Sequence, residues 1–403
     1  MSHNLRGGMM KKIAFILQAL TGGGAERTVA NLSFALSDYC DVYIILFDGT
    51  KVGYPYKGTI IDLGIPSKKS KISKIVNVFK RTQKLKKIKK DHNFDVVVSF
   101  MFGANFVNVL SRRNEKVVTS ARNFMSAYGL TASRKFQERY TGRKADRIVA
   151  ISEMVRQDLI NNFGLPSDKI ETIYNPCDVQ RIKTYYAEEP SFEFNEDCFY
   201  FVTAGRLVRQ KGQWDLLKAF SIIAKKYPSA RLIILGTGEL EEKLKNLAKL
   251  LGIDSTVFFL GFQDNPYAYM KRCNAFALTS LHEGLGNVVL EAMACDLPVI
   301  STDCYAGPRE VLAPELDLFE KAKDITYCNY GILVPEISYE EDYTQMKNPQ
   351  HELLARAMEQ IMTDKEMSMR YVANNPDRLR NFDPIRIAEQ WYRLFFTVVD
   401  QDE

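Results

Sequence analysis

No stretch of this 403-residue chain holds the roughly 20 consecutive apolar residues that a bilayer-spanning helix requires. The longest apolar runs, such as residues 199–203 and 232–235, are strand-sized. The seven cysteines are scattered and include no C-x-x-C pair, which argues against a zinc ribbon or a disulfide scaffold and fits a reducing cytoplasm. Histidine is scarce, with only His3, His92, His282 and His351. The single D-x-D pattern, Asp400-Gln401-Asp402, sits in the tail, so no metal and no other cofactor is expected. The opening MSHNLRGG has no apolar core behind a charged start, so it is not a signal peptide, and residues 1–10 are set aside as a leader or a cloning remnant. One long segment, residues 68–90, contains no acid at all.

What is present is the composition of an ordinary globular enzyme, 46% hydrophobic and 26% charged, in a chain long enough for two domains. Strand patterns at residues 12–18, 42–47, 59–63, 95–100, 116–120, 147–151 and 170–173 alternate with helical stretches, which argues for parallel βαβ units. A polar stretch, 187–197, interrupts the alternation, and it restarts with strands at 198–204, 231–235, 257–260, 275–278 and 298–301. The reading is α/β, two doubly wound Rossmann-like domains: residues 11–190, residues 198–382, and a last helix at 383–403 that begins with Asp383 as cap and Pro384 at its first position. Ligands in such sheets bind beyond the carboxyl ends of the strands, so the loops after Gln18, Ser120, Ala204, Leu260 and Leu278 are the candidate site.

The richest of these loops is LHEGLGNVVLEAMACDLPVISTD, residues 281–303. Glycines there let backbone N–H groups approach a phosphate, and the helix that follows offers unpaired N–H groups and the positive end of its dipole. Glu283 and Glu291 bracket that helix start, a poor place for an anion and a good one for hydroxyl groups. A sugar ring, a ribose and a diphosphate between them satisfy all these groups at once. After the strand ending at Ala204 the chain reads GRLVRQKG, which puts Arg206 and Lys211 in one loop, where cations can neutralise a diphosphate.

Glu283 and Glu291 with glycines between them, in E-G-x-G-N-V-x-L-E-A-M-A-C followed by P-V-I, together with G-R-L-x-x-x-K-G, resemble the retaining glycosyltransferases of family 4. The resemblance is strong over about residues 202–334. It implies the GT-B fold, with two Rossmann-like domains facing across a cleft and the last helix crossing back to the first domain. It implies transfer of a hexose or N-acetylhexosamine from a UDP-sugar to a glycan acceptor without a metal. In these terms Glu283, Arg206 and Lys211 are catalytic, with Glu283 on the donor sugar and the two cations on the diphosphate. The donor side is completed by Glu291 on the ribose, Gly284, Leu285, Gly286, Asn287 and Val288 at the helix start, Phe262 beside the nucleobase, and Gly236 and Gly238 giving room to base or ribose. Gly23 and Gly24 of the GGGAER loop, with Arg122, are the acceptor and phosphate candidates. Many relatives carry a histidine in the first domain beside the reacting sugar; only His92 is available there, and it lies before a strand, at the wrong end of the sheet.

Segments GPREVL, 307–312, and YGILVP, 330–335, resemble bacterial transferases that build lipid-linked or capsular polysaccharide, so an undecaprenyl-diphosphate-linked glycan is the expected acceptor. Within 68–90, helical spacing puts Ile75, Val78, Phe79, Thr82 and Leu85 on one face, expected to dock on a sheet, with lysines elsewhere. That helix is either a solvated wall or a surface for anionic lipid or a polyphosphorylated acceptor, and it lacks the interleaved aromatics of a nucleic-acid binder. The expected location is cytoplasmic and peripheral on the inner membrane face. Two other classes compete: a GT-B-type sugar-nucleotide epimerase or hydrolase, and a non-catalytic membrane-surface module.

Overall fold

The computed structural model describes residues 10–67, 70–337 and 340–400. The leader up to residue 9, His3, the first two lysines of the basic segment and the last two residues of the tail D-x-D lie outside the described residues. Strands buried on both faces require near-continuous aliphatic runs, and KKIAFIL and VVVSF are of this kind. The first sheet holds β1 (Lys11–Leu17), β2 (Cys40–Leu46), β3 (Thr59–Asp62), β4 (Val96–Phe100), β5 (Lys116–Ala121), β6 (Arg147–Ala150) and β7 (Ile170–Thr172). Its order is β3-β2-β1-β4-β5-β6-β7, parallel throughout. The second holds β8 (Phe199–Ala204), β9 (Ala230–Leu235), β10 (Val257–Gly261), β11 (Ala275–Leu278), β12 (Val299–Thr302), β13 (Thr326–Tyr327) and β14 (Ile332–Val334). Its order is β10-β9-β8-β11-β12-β14-β13, with only the edge strand β13 antiparallel. In each sheet the order reverses beside the first strand, between β1 and β4 and between β8 and β11. A crevice forms at such a reversal because the flanking connections leave toward opposite faces.

The chain divides into two compact units, residues 1–176 with 384–403, and residues 177–383. The first boundary falls earlier than the polar stretch suggested. The helix Val179–Tyr186 packs on helices of the second unit, Ser191 bonds Tyr269 at 2.9 Å, and Phe192 and Phe194 cluster with Tyr200. The apolar residues hidden in that polar stretch therefore tie it to the second unit.

In the first unit, the helix Pro384–Asp400 lays Ile387, Trp391, Leu394, Phe395 and Val398 against Val29, Leu32 and Leu36 of the helix Gly24–Leu36. Trp391 and Phe395 are fully buried, each contributing roughly 2–3 kcal/mol by removal from water. The helix Lys71–His92 departs from the expected docking face. Asn77, Arg81, Thr82, Leu85 and Lys89 are buried, whereas Ile75 and Phe79 are exposed. The docked face is set by polar anchors: Arg81 donates to the carbonyl of Ile65 and lies over the Phe47 ring, and Lys89 is buried against Glu115 at 2.6 Å. No helix among the described residues is long and apolar enough to cross a membrane.

Candidate active site

The loops after β8 and β11 leave the second sheet on either side of its reversal, and backbone bonds stitch them together. Leu281 N–H donates to the carbonyl of Gln210 at 2.8 Å, and Gln210 Nε2 donates to the carbonyl of His282 at 2.9 Å. Thr279 Oγ1 donates to the carbonyl of Lys211 at 3.2 Å. This register brings Lys211 Nζ within 2.6 Å of Glu283 Oε1. Ser280 Oγ donates to the same oxygen, also at 2.6 Å. One oxygen of Glu283 is thus held twice, and Oε2 has no hydrogen bond among the described residues. Both side chains of the ion pair are largely buried, so the pair is strong and fixed in place.

Arg206 is exposed, and its guanidinium makes no hydrogen bond or ion pair among the described residues. It remains available to an anion. The two cations of the GRLVRQKG loop therefore start from different states, one committed to a carboxylate and one open.

The helix Asn287–Ala294 begins at Gly286, whose φ of 77° suits glycine, and no side chain caps it. Gly284 and Leu285 are buried in the loop, while Asn287, Val288 and Glu291 are half-buried on the first turn and beyond. The loop after β12 presses on this turn. A Cβ on Gly307, at φ 88°, would meet the Leu285 carbonyl. Behind it Arg309 clamps Asp303 in a buried bidentate pair, Nε to Oδ1 at 3.0 Å and Nη2 to Oδ2 at 2.6 Å. Glu283 N–H donates to the carbonyl of Tyr305 at 2.9 Å, so the same loop also fixes the Glu283 backbone.

Gly236 and Gly238 serve the protein itself. A Cβ on Gly236 would strike the Gly205 carbonyl, and one on Gly238 the Leu207 carbonyl. This packing shapes the GRLVRQKG loop. Phe262 is 64% exposed at the end of β10, a flat ring open to stacking.

The first unit corrects one expectation. Arg122 is buried rather than reaching out for phosphate or acceptor. It donates to Thr28 Oγ1 at 3.0 Å and to Asn175 Oδ1, and it lies over the Phe100 ring. Burial pushes this guanidinium down from its ordinary value, with Glu26 pulling the other way. The side chain ties the end of β5 to the helix Gly24–Leu36 and to Asn175. Gly23 precedes the helix that starts at Gly24, and the space a Cβ would take there holds the Glu26 carboxylate. Gly23 thus makes room for a helix-start acid.

His92 stacks on Phe94 with rings 5.4 Å apart, a packing role. His282 is buried, and burial lowers its pKa, with Glu283 opposing. His351 Nδ1 accepts from the Asn348 N–H, so its Nε2 carries the proton to Asp215 Oδ1 at 2.8 Å. Asp215 Oδ2 is buried with no hydrogen-bond partner among the described residues, and burial raises the Asp215 pKa. A cavity of about 190 Å³ lined by Asp215, Thr279, Ser280, Thr302 and Glu336 lies against it, large enough for water to meet that oxygen. Ser280, Gln210 and the Asp303–Arg309 clamp were absent from the motif reading. Ser280 alone carried a signal, since it stands three residues before Glu283 at the end of the strand. No group of three or more metal-ligating side chains occurs among the described residues.

Two doubly wound parallel sheets, the second with a fixed carboxylate and a cation-bearing loop at its strand reversal, define a protein of the two-Rossmann-domain type. Comparison with known proteins makes this specific. Residues 22–181 match Glycosyltransferase Family 4, and residues 187–326 match Glycosyl transferases group 1. An uncharacterised glycosyltransferase of Methanocaldococcus jannaschii is 33% identical over 337 residues, 79% of this chain and 83% of the relative. The N-acetylgalactosamine-N,N'-diacetylbacillosaminyl-diphospho-undecaprenol 4-alpha-N-acetylgalactosaminyltransferase of Campylobacter jejuni is 28% identical over 94% of this chain and 98% of its own. Among solved structures, Anabaena HepE in complex with UDP and glucose shares the fold at a TM-score of 0.73 and 18% identity, covering 96% of this chain and 100% of that one. The chain belongs to the family 4 glycosyltransferases, and its fold is GT-B. It is an enzyme, which sets aside the non-catalytic reading.

Proposed function

We propose that the enzyme is a retaining, metal-independent transferase that moves a hexose or N-acetylhexosamine from a UDP-sugar onto a lipid-linked, diphosphate-bearing glycan. The observation that carries this reading is the Lys211–Glu283–Ser280 cluster at the reversal of the second sheet. A carboxylate with one oxygen pinned by two donors presents its other oxygen at a fixed angle, as a sugar hydroxyl requires. Arg206, open to solvent on the same loop as Lys211, supplies positive charge where a leaving diphosphate gains negative charge. The uncapped helix start at Gly286 adds backbone N–H groups to the same end. As the bond between the anomeric carbon and the diphosphate oxygen breaks, Lys211 shares its charge between Glu283 and the phosphate. Glu291 holds the ribose, Phe262 stacks beside the base, and the glycines of the neighbouring loops fix the floor of the donor site.

The HepE complex with UDP and glucose supports the choice of donor, and the diphospho-undecaprenol in the Campylobacter relative's name supports the choice of acceptor. The charges already present support metal independence, since two cations and a helix start can do the work a divalent ion does elsewhere. The test is a screen of UDP-sugars for acceptor-stimulated UDP release in excess EDTA, with the anomeric configuration of the product read by NMR. Release that persists in EDTA and yields the donor's own configuration is expected. Loss of activity that Mn²⁺ or Mg²⁺ restores overturns the metal-free route, an inverted product overturns retention, and release that needs no acceptor returns the reading to a hydrolase.

A further inference from the structure

The face of the helix Lys71–His92 that the core leaves uncovered is not the charged wall its composition suggests. Ile72, Ile75, Val76 and Phe79 are 76, 72, 43 and 64% exposed. Their spacing of three, one and three residues stacks them in a single stripe over two turns. The stripe lies opposite the side that buries Arg81, Leu85 and Lys89. No other helix among the described residues exposes four large apolar side chains. Surface helices gain nothing in water from such a stripe, and a contiguous exposed apolar patch marks an interaction site.

The surroundings say what covers it. Lys74, Lys80, Lys84, Lys87 and Lys90 are exposed along the same helix, and no acid interrupts it before Asp91. Beyond Phe79 the outward line continues through Gln83, Lys87 and Lys90, so the helix is apolar on its outer face over the first two turns and cationic over the last two. A protein partner with an apolar face has no need of this one-signed flank. A bilayer with anionic headgroups matches both parts, with acyl chains for the apolar stripe and phosphates for the lysines. The helix is also rigidly seated. Arg81 bonds the carbonyl of Ile65 at 2.7 Å, Asn77 bonds that of Pro66 at 2.8 Å, and Lys89 is held by Glu115 and Asn108. A seated helix presents the stripe without an ordering cost at the moment of docking.

We infer that Ile72, Ile75, Val76 and Phe79 insert into the headgroup and acyl boundary of an anionic membrane, with Lys80, Lys87 and Lys90 against the lipid phosphates. This goes beyond electrostatic attraction, because the apolar part of the binding survives high salt and the lysine part does not. It is independent of donor and acceptor chemistry, so failure of every transferase assay leaves it standing.

The full chain is mixed with vesicles of phosphatidylcholine containing 30% phosphatidylglycerol, at 0.15 M and 0.5 M salt, and sedimented. Binding is expected at both salts, weaker at the higher. Ile75→Ser with Phe79→Ser is expected to lower the partition coefficient by about tenfold or more and to abolish the residual binding at 0.5 M salt. Lys80→Gln with Lys87→Gln and Lys90→Gln is expected to remove the salt-sensitive part, at about fivefold per lysine near the surface. Both sets lie on exposed positions, and unchanged thermal unfolding confirms an intact fold. In a Phe79→Trp variant, the new indole is expected to shift to the blue on vesicle addition and to be quenched by lipids brominated near the headgroup end of the chain. The inference is overturned if the wild type does not sediment with these vesicles at 0.15 M salt, or if the serine variant binds as the wild type does. It is also overturned if light scattering shows a dimer in the absence of lipid that the serine variant loses, since the stripe then belongs to a second copy.

Discussion

Glu283 and Lys211 hold each other in the absence of substrate, which separates two kinds of damage. Arg206→Ala removes an exposed cation that makes no hydrogen bond or ion pair among the described residues. Turnover is expected to fall about 10²–10³-fold, the loss of one preorganised charge, or about 3–4 kcal/mol. Stability in urea should stay within about 0.5 kcal/mol of wild type. Lys211→Ala should cost activity to a similar degree and also destabilise the second unit by about 3 kcal/mol, because a largely buried carboxylate loses its counter-charge. Equal stability of the two variants would show that the ion pair contributes nothing to the fold. The two glutamates are told apart by calorimetric titration with UDP alone. Glu291→Gln is expected to weaken UDP binding, whereas Glu283→Gln should spare it and reduce turnover of the whole donor; equal losses would undo the assignment. Ser280→Ala should lower turnover through Glu283, so its effect should shrink toward nothing in a Glu283→Gln background, a non-additivity of about 1 kcal/mol or more. The positions of Glu283, Arg206 and Lys211 were legible because glycine spacing and strand ends are local signals. The partner of Glu283 was not legible, because a hydroxyl three residues away and a lysine 72 residues away meet only when two loops are stitched by backbone bonds.

Among the elements, the helix Ala132–Lys144 carries a cost that pH exposes. Glu138 is buried, its Oε2 has no hydrogen bond, and its pKa is raised to about 7, by burial first and Asp158 after it, with Arg134 opposing. The folded value lies above the ordinary 4.5, so the contribution to stability is full below pH 4.5 and is lost as pH rises through 7. Glu138→Gln removes that loss. The variant should be more stable than wild type at pH 8, by about 1–3 kcal/mol, and should show little advantage at pH 4.5. Urea unfolding of the first unit at the two pH values reads this directly, and a constant difference between them would count against it. Elements of this sheet were easy to anticipate, since buried parallel strands are aliphatic runs such as Val96–Phe100 and their ends are marked by glycine or polar residues. The basic helix was anticipated in place and misjudged in orientation. Periodicity assigns the apolar face to the core, but here Asn77, Arg81 and Lys89 reach carbonyls and a carboxylate that no periodicity displays. The short strands β13 and β14 escaped notice because two or three residues carry no period.

For the molecule as a whole, the first unit is assembled from two segments far apart in the sequence. A chain stopped after Asp383 lacks Ile387, Trp391, Leu394, Phe395 and Val398, all part of that unit's core. It is expected to lose the thermal transition of the first unit while the second unit still unfolds cooperatively and still binds UDP. Calorimetry of the truncated chain checks this, and survival of both transitions would show that the last helix is dispensable. The same arrangement bears on the order of events on the ribosome, where the segment made first usually folds first. The sheet begun at Lys11 cannot complete its core until Ile387, Trp391 and Phe395 have been made, after all of residues 177–383. Until then the apolar surface around Val29, Leu32 and Leu36 lacks its cover, an exposure that the folding of residues 177–383 does not relieve.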